Sequence, residues 1–141
     1  MTDQLTELDS IINNIINEQS NNSYLNRIEY LKSQGMNTED IEYGIQEATS
    51  TIEEGKDKSF VIYGEPQSGK TEVMIALTFK LVDLGFKTIF IVMNDNTELE
   101  NQNYTRFLQT DLNPSPLKAD QLKELAVSQL KQEKVRIIFC R

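Results

Sequence analysis

Gly64-Glu65-Pro66-Gln67-Ser68-Gly69-Lys70-Thr71 matches G-x-x-x-x-G-K-[ST] at every fixed position, and the rest of the chain is read outward from it. The pattern describes a loop that holds phosphate. Gly64 lets a strand break into a tight turn, and Gly69 lets backbone N–H groups approach an anion with no Cβ in the way. Gly64, Gln67, Ser68 and Gly69 are expected to cradle phosphate oxygens through their N–H groups, with Glu65 and Pro66 shaping the loop. Lys70 would neutralise the terminal phosphates, and the Thr71 hydroxyl would ligate Mg²⁺. Lys70 and Thr71 are therefore the candidate catalytic positions and Thr71 the candidate metal ligand. A helix is expected to open here, so its free N–H groups would also face the anion. On either side, Ser59-Phe60-Val61-Ile62-Tyr63 is a short apolar run that predicts a buried strand. Residues 71–84 carry Val73, Ile75, Ala76, Leu77, Phe79, Leu81 and Leu84, which predicts a helix covered on several sides.

The chain has 141 residues and a net charge of −8, the length of one domain. The charge is uneven: residues 1–55 hold 11 acids against Arg27 and Lys32, whereas residues 56–141 hold 12 Lys and Arg against 11 acids. No basic footprint for nucleic acid runs across the whole. With no histidine, Ser-His-Asp, Cys-His and His-ligated zinc chemistry are excluded. The single cysteine, Cys140, allows no internal disulfide. No apolar run approaches a membrane span, and the first residues carry no basic signal-peptide region. These features lead to the expectation of a cytoplasmic protein.

In chain order, Leu5, Leu8, Ile12 and Ile15 recur at three- and four-residue steps and predict an amphipathic helix over residues 3–18. Ser23 is expected to cap a second helix bearing Tyr24, Leu25, Ile28 and Leu31, ended by Gly35. Asn37 caps a third, bearing Ile41, Ile45, Ala48 and Ile52 and ended by Gly55. The predicted division is an N-terminal helical segment, 1–55, and an α/β part, 56–141. In the α/β part Gly85 stops the helix after the loop, and Lys87 to Met93 predicts a strand parallel to the first. Helices are expected over 98–109 and 119–132, and a strand over 135–139. Asp95, at the end of an apolar strand, is a secondary candidate for the Mg²⁺-holding acid of a hydrolase.

The loop 64–71 together with Asp95-Asn96-Thr97-Glu98-Leu99-Glu100-Asn101-Gln102 resembles motifs I (Walker A) and Ia of superfamily 2 helicases. Glu98, Leu99 and Gln102 match the DEAD-box form P-T-R-E-L-A-x-Q in register, whereas Asp95-Asn96-Thr97 stands where that form has Pro-Thr-Arg. Upstream, Gln46 and Gly55-Lys56-Asp57 resemble, with shifted spacing, the adenine-reading glutamine and the G-R-D that follows it. The run from Phe60 to Phe107 is also similar to helicase-like ATPases of bacterial restriction and phage-defence systems.

The resemblance implies an α/β fold, part of a RecA-like P-loop lobe with parallel strands behind an N-terminal helical segment. It implies ATP and Mg²⁺ as ligands, with Gln46 against the base and Asn96, Thr97 and Gln102 against a DNA or RNA backbone. It also implies an ATP-binding fragment of a helicase or nucleic-acid translocase, not competent for hydrolysis on its own. In such lobes the strands of later motifs lie between the P-loop strand and the motif Ia strand, so 60–63 and 88–93 would not pair with each other. A small P-loop nucleoside or nucleotide kinase and a non-hydrolysing nucleotide-binding module remain the alternatives. Tyr104 and Phe107 sit at helical spacing that suits core packing better than base stacking.

Overall fold

The structure is a computed structural model that describes residues 6–12, 22–55, 59–65, 69–131 and 134–141. Its elements, in order, are the helical residues 6–12 (α1), α2 (Ser23–Ser33), α3 (Glu39–Glu53), α4 (Lys70–Asp83), β1 (Thr88–Val92), α5 (Thr97–Leu108), β2 (Leu117–Lys118), α6 (Ala119–Leu122), α7 (Val127–Leu130) and β3 (Arg136–Cys140). The class is mixed α/β with a parallel three-stranded sheet in the order β1-β3-β2, compatible with a partial RecA-like lobe.

The helix ends follow from glycine. Gly35 and Gly85 lie just past α2 and α4 with φ of 79° and 90°, a left-handed conformation that a Cβ would strain. At each, the following amide reaches back over the last turn: Met36 N–H donates to Leu31 O and Phe86 N–H to Leu81 O, both at 3.1 Å. That bond occupies a carbonyl the helix leaves unpaired.

The helix α4 is the hub of the core. Ile75, Ala76 and Phe79 are almost completely buried between the α2–α3 pair and the sheet. The pair contributes Ile28, Leu31, Ile41 and Ile45, and the sheet contributes Ile89, Ile91, Ile137 and Phe139. The register sets Ile89 beside Ile137 and Ile91 beside Phe139, so one apolar face is continuous across both strands. Phe107 and Tyr104 of α5 meet Phe139 edge-on at 5.1 and 5.4 Å. The two aromatics are thus spent on packing.

Four local expectations are corrected. First, residues 59–63 do not form a strand. They lie outside the sheet, with Val61 91% and Tyr63 86% exposed. Phe60 and Ile62, at 38% and 36%, lean toward α3, where a Cβ added to Gly44 would lie 3.9 Å from Ile62 Cγ2. An apolar run becomes a buried strand only when a neighbouring strand pairs with it, and among the described residues none does. Residues 60–63 and β1 do not pair with each other.

Second, the helix expected over 119–132 is two short helices. The side chains of Gln121 and Gln129 accept hydrogen bonds from the backbone N–H of Lys118 and Ala126, at 2.8 and 2.9 Å. Each glutamine therefore begins a helix of its own, and Ala126 between them is extended.

Third, Ser23 is not the cap of α2. The Asp83 carboxylate at the end of α4 accepts from Tyr24 N–H at 2.9 Å and from the Ser23 amide and hydroxyl, and so caps the helix from another element. Fourth, the apolar side chains of α1 find no cover: Leu8, Ile11 and Ile12 are exposed. Leu5 and Ile15 of that helix lie outside the described residues.

Candidate functional site

Gly69 stands immediately before α4 with φ 80°, a left-handed position that only glycine takes without strain. Its carbonyl begins the helix by accepting Glu72 N–H at 2.9 Å and Val73 N–H at 3.2 Å. The helix therefore starts at Lys70, and its unpaired N–H groups point out of the end that carries the loop. Pro66, Gln67 and Ser68 lie outside the described residues. Gly64 and Glu65 lie within them, half-buried and exposed in turn.

Lys70 is exposed, and its Nζ donates to the Gly64 carbonyl at 3.0 Å. The ammonium thereby closes the loop on itself, tying its first residue to its seventh. Thr71 is half-buried, and its Oγ1 donates to Asn103 Oδ1 of α5 at 3.0 Å.

Glu72 follows as a buried carboxylate. Arg27 of α2 donates to both its oxygens at 2.9 and 3.1 Å, and Arg106 of α5 reaches it at 3.3 Å. The first turn of α4 is thus pinned to α2 and to α5 at once.

A cleft of about 640 Å³ opens beside the loop between α3 and residues 60–65, with Lys70 and Val73 at its base. Tyr43, Gly44, Glu47 and Thr51 line its α3 side. Gln46 is exposed on α3 but is not part of that lining. Lys56 and Asp57, which accompany it in the sequence pattern, lie outside the described residues.

The turn after β1 is ordered by its own side chains. Asn96 Oδ1 accepts Glu98 N–H and Leu99 N–H at 3.0 and 3.1 Å, which makes it the cap of α5. The Thr97 hydroxyl accepts from Arg141 Nη1 at 2.9 Å, and Arg141 Nε pairs with the buried Glu100 at 2.9 Å. Arg141 therefore ties the end of β3 to the start of α5. Asp95 is 95% exposed at its side chain and stands 3.9 Å from Arg141. Gln102 lines an open depression along α5 with Thr97, Glu98, Asn101, Thr105 and Arg106. Asn96, with its oxygen committed to the cap, does not.

Nothing local in the sequence singles out Asn103, Arg27 or Arg141. Their partners are 32, 45 and 41 to 44 positions away, so only the tertiary fold brings them in.

Among the described residues no group of three or more His, Cys, Asp and Glu stands together to hold a metal. Among the described residues, the Thr71 hydroxyl is a neutral oxygen beside the loop. That donor suits a Mg²⁺ ion, which keeps several waters and draws its other oxygens from substrate phosphates. None of the helices among the described residues is long and apolar enough to cross a membrane.

An α/β sheet with its helix-opening loop at the edge of an α2–α3 pair defines the class as a helicase-like ATPase lobe when set beside the family comparison. The SWI2/SNF2 ATPase model matches residues 42–141, and the chain belongs to that family. The match begins inside α3 and runs through β3. No curated protein and no solved structure matches the chain, and the narrower likeness to restriction and phage-defence ATPases gains no support.

Proposed function

We propose that residues 64–71 bind the phosphates of ATP with Mg²⁺, and that the chain is the ATP-binding part of a nucleic-acid-stimulated motor. The observation that carries this reading is Lys70, which sits at the N-terminus of α4 with its ammonium over the Gly64 carbonyl. The Lys70–Gly64 bond holds the cation at the loop's mouth, where a phosphate would replace the carbonyl as its partner. The free N–H groups of the first turn supply the neutral part of the same anion site. Thr71 would offer its hydroxyl to Mg²⁺, and the ion would neutralise charge on the bridged phosphate oxygens. Membership of the family supports ATP as the nucleotide.

The cleft beside α3 is the space next to the loop in which the nucleoside would lie. On that assignment Tyr43 and Glu47, rather than Gln46, are the α3 side chains nearest the base. The depression along α5 containing Thr97 and Gln102 is the proposed face for a DNA or RNA backbone. The helical segment 1–55 and the part from 56 onward would then act as one unit around α4, whichever boundary is drawn.

Titration calorimetry tests the reading. The chain should bind ATP in the presence of MgCl₂, and Lys70→Ala should lose at least about tenfold in affinity, since charge-assisted hydrogen bonds are worth about 1.5–3 kcal/mol. Equal affinity in the two proteins would remove Lys70 from the site.

A further inference from the structure

Thr71 is the second residue of α4, so no carbonyl four residues earlier belongs to its helix, unlike Thr49 and Thr78, whose hydroxyls donate back to the Ile45 and Met74 carbonyls at 2.8 Å. It donates across to another helix, to Asn103 Oδ1 at 3.0 Å. The acceptor is itself held in place. Asn103 Nδ2 donates to the Leu99 carbonyl one turn earlier, at 3.0 Å. Turning the amide over would set its oxygen against that carbonyl, so the Leu99 end fixes the orientation.

A hydroxyl has one proton and two lone pairs. With the proton committed to Asn103, both lone pairs of Thr71 stay available on the side away from α5. A cation needs those lone pairs and is repelled by the proton. We infer that Asn103 is a positioning residue for metal binding: it fixes the Thr71 hydroxyl with its proton turned away from the loop, so that the oxygen presents lone pairs to the Mg²⁺ that accompanies a nucleotide. The inference rests on the proposed phosphate site, but it assigns a function to a residue of α5 that the loop motif does not contain. It also joins α5, which carries the Thr97–Gln102 face, to the metal-binding side chain by a single hydrogen bond.

The test separates metal binding from phosphate binding. Calorimetric titration of the 141-residue chain with ATP, once in MgCl₂ and once in EDTA, gives the gain in affinity that Mg²⁺ brings. In Asn103→Leu this gain should fall roughly three- to tenfold, the loss of one hydrogen bond, while affinity in EDTA stays unchanged. In a Thr71→Val background Asn103→Leu should have no further effect. Asn103→Ala, a better helix former, should give the same split and replaces Asn103→Leu if that variant does not fold. A loss of equal size in both buffers, or a full gain in the variants that lack the acceptor, overturns the inference and leaves the phosphate site standing. Wild-type protein that binds ATP in neither buffer overturns the phosphate site, and this inference with it.

Discussion

Glu42 in α3 accepts a hydrogen bond from the buried Thr38 hydroxyl at 2.8 Å. That bond is the main reason its carboxyl titrates below the usual carboxylate range; partial burial pushes the other way, and Lys32 at 3.1 Å adds a smaller lowering. Because the folded value is depressed, the group contributes stability above the ordinary carboxylate range and loses it as pH falls through the folded value. Thr38→Val should move the Glu42 titration upward in an NMR pH series, and an unmoved curve would assign the lowering to Lys32 instead. Tyr24 shifts the other way: burial raises its phenol, and the Glu42 charge adds to the effect. At this scale the sequence speaks through pattern alone. Gly69 and Lys70 are recognisable because the loop's chemistry sits in consecutive positions. The Thr38–Glu42 bond, four residues apart on one turn, is the sort of partnership that helical spacing also discloses. Asn103 is not, because its partner arrives only after α4 and α5 have packed.

The helices are joined by charge as well as by apolar contact. Glu72 is 9% exposed at its side chain and so is Arg27, whereas Arg106 is 47% exposed. Arg106 is screened by water and holds Glu72 weakly. Removing Arg27 would therefore leave a buried carboxylate with poor compensation. Arg27→Ala should cost about 3 kcal/mol in urea denaturation, whereas Arg27→Met combined with Glu72→Leu should come back close to wild type. A single variant within about 0.5 kcal/mol of wild type would mean that water already reaches Glu72. The elements that the sequence predicts well are those whose partners lie inside one amphipathic pattern: α2, α3, α4 and β1 all fall close to their expected places. The misplaced ones depend on something outside the pattern. Residues 60–63 have the composition of a strand but no strand to pair with. The 119–132 region has helical spacing, but Gln121 and Gln129 each find a backbone N–H and restart the helix. Asp83 caps a helix about 60 positions away, as no local motif could announce.

For the molecule as a whole, the α/β class was legible in a G-x-x-x-x-G-K-[ST] loop followed by a helix and an apolar run; the parallel partner of β1 is β3 and not residues 59–63, so that pairing was not legible. The sheet order β1-β3-β2 was not, since it depends on where the short β2 docks. The family match covers residues 42–141, from inside α3 onward, and α4 shares its core with α2 and α3. Uptake of nucleotide phosphate at residues 64–71, as proposed, can be read by hydrogen exchange with mass spectrometry. On adding ATP with MgCl₂, exchange should slow in peptides covering 64–72, where the N–H groups at the start of α4 become acceptor-bound. A smaller slowing is expected in α5 through Asn103 and none in 119–131. Binding of ATP with protection confined to regions outside 64–72 would contradict the proposed uptake.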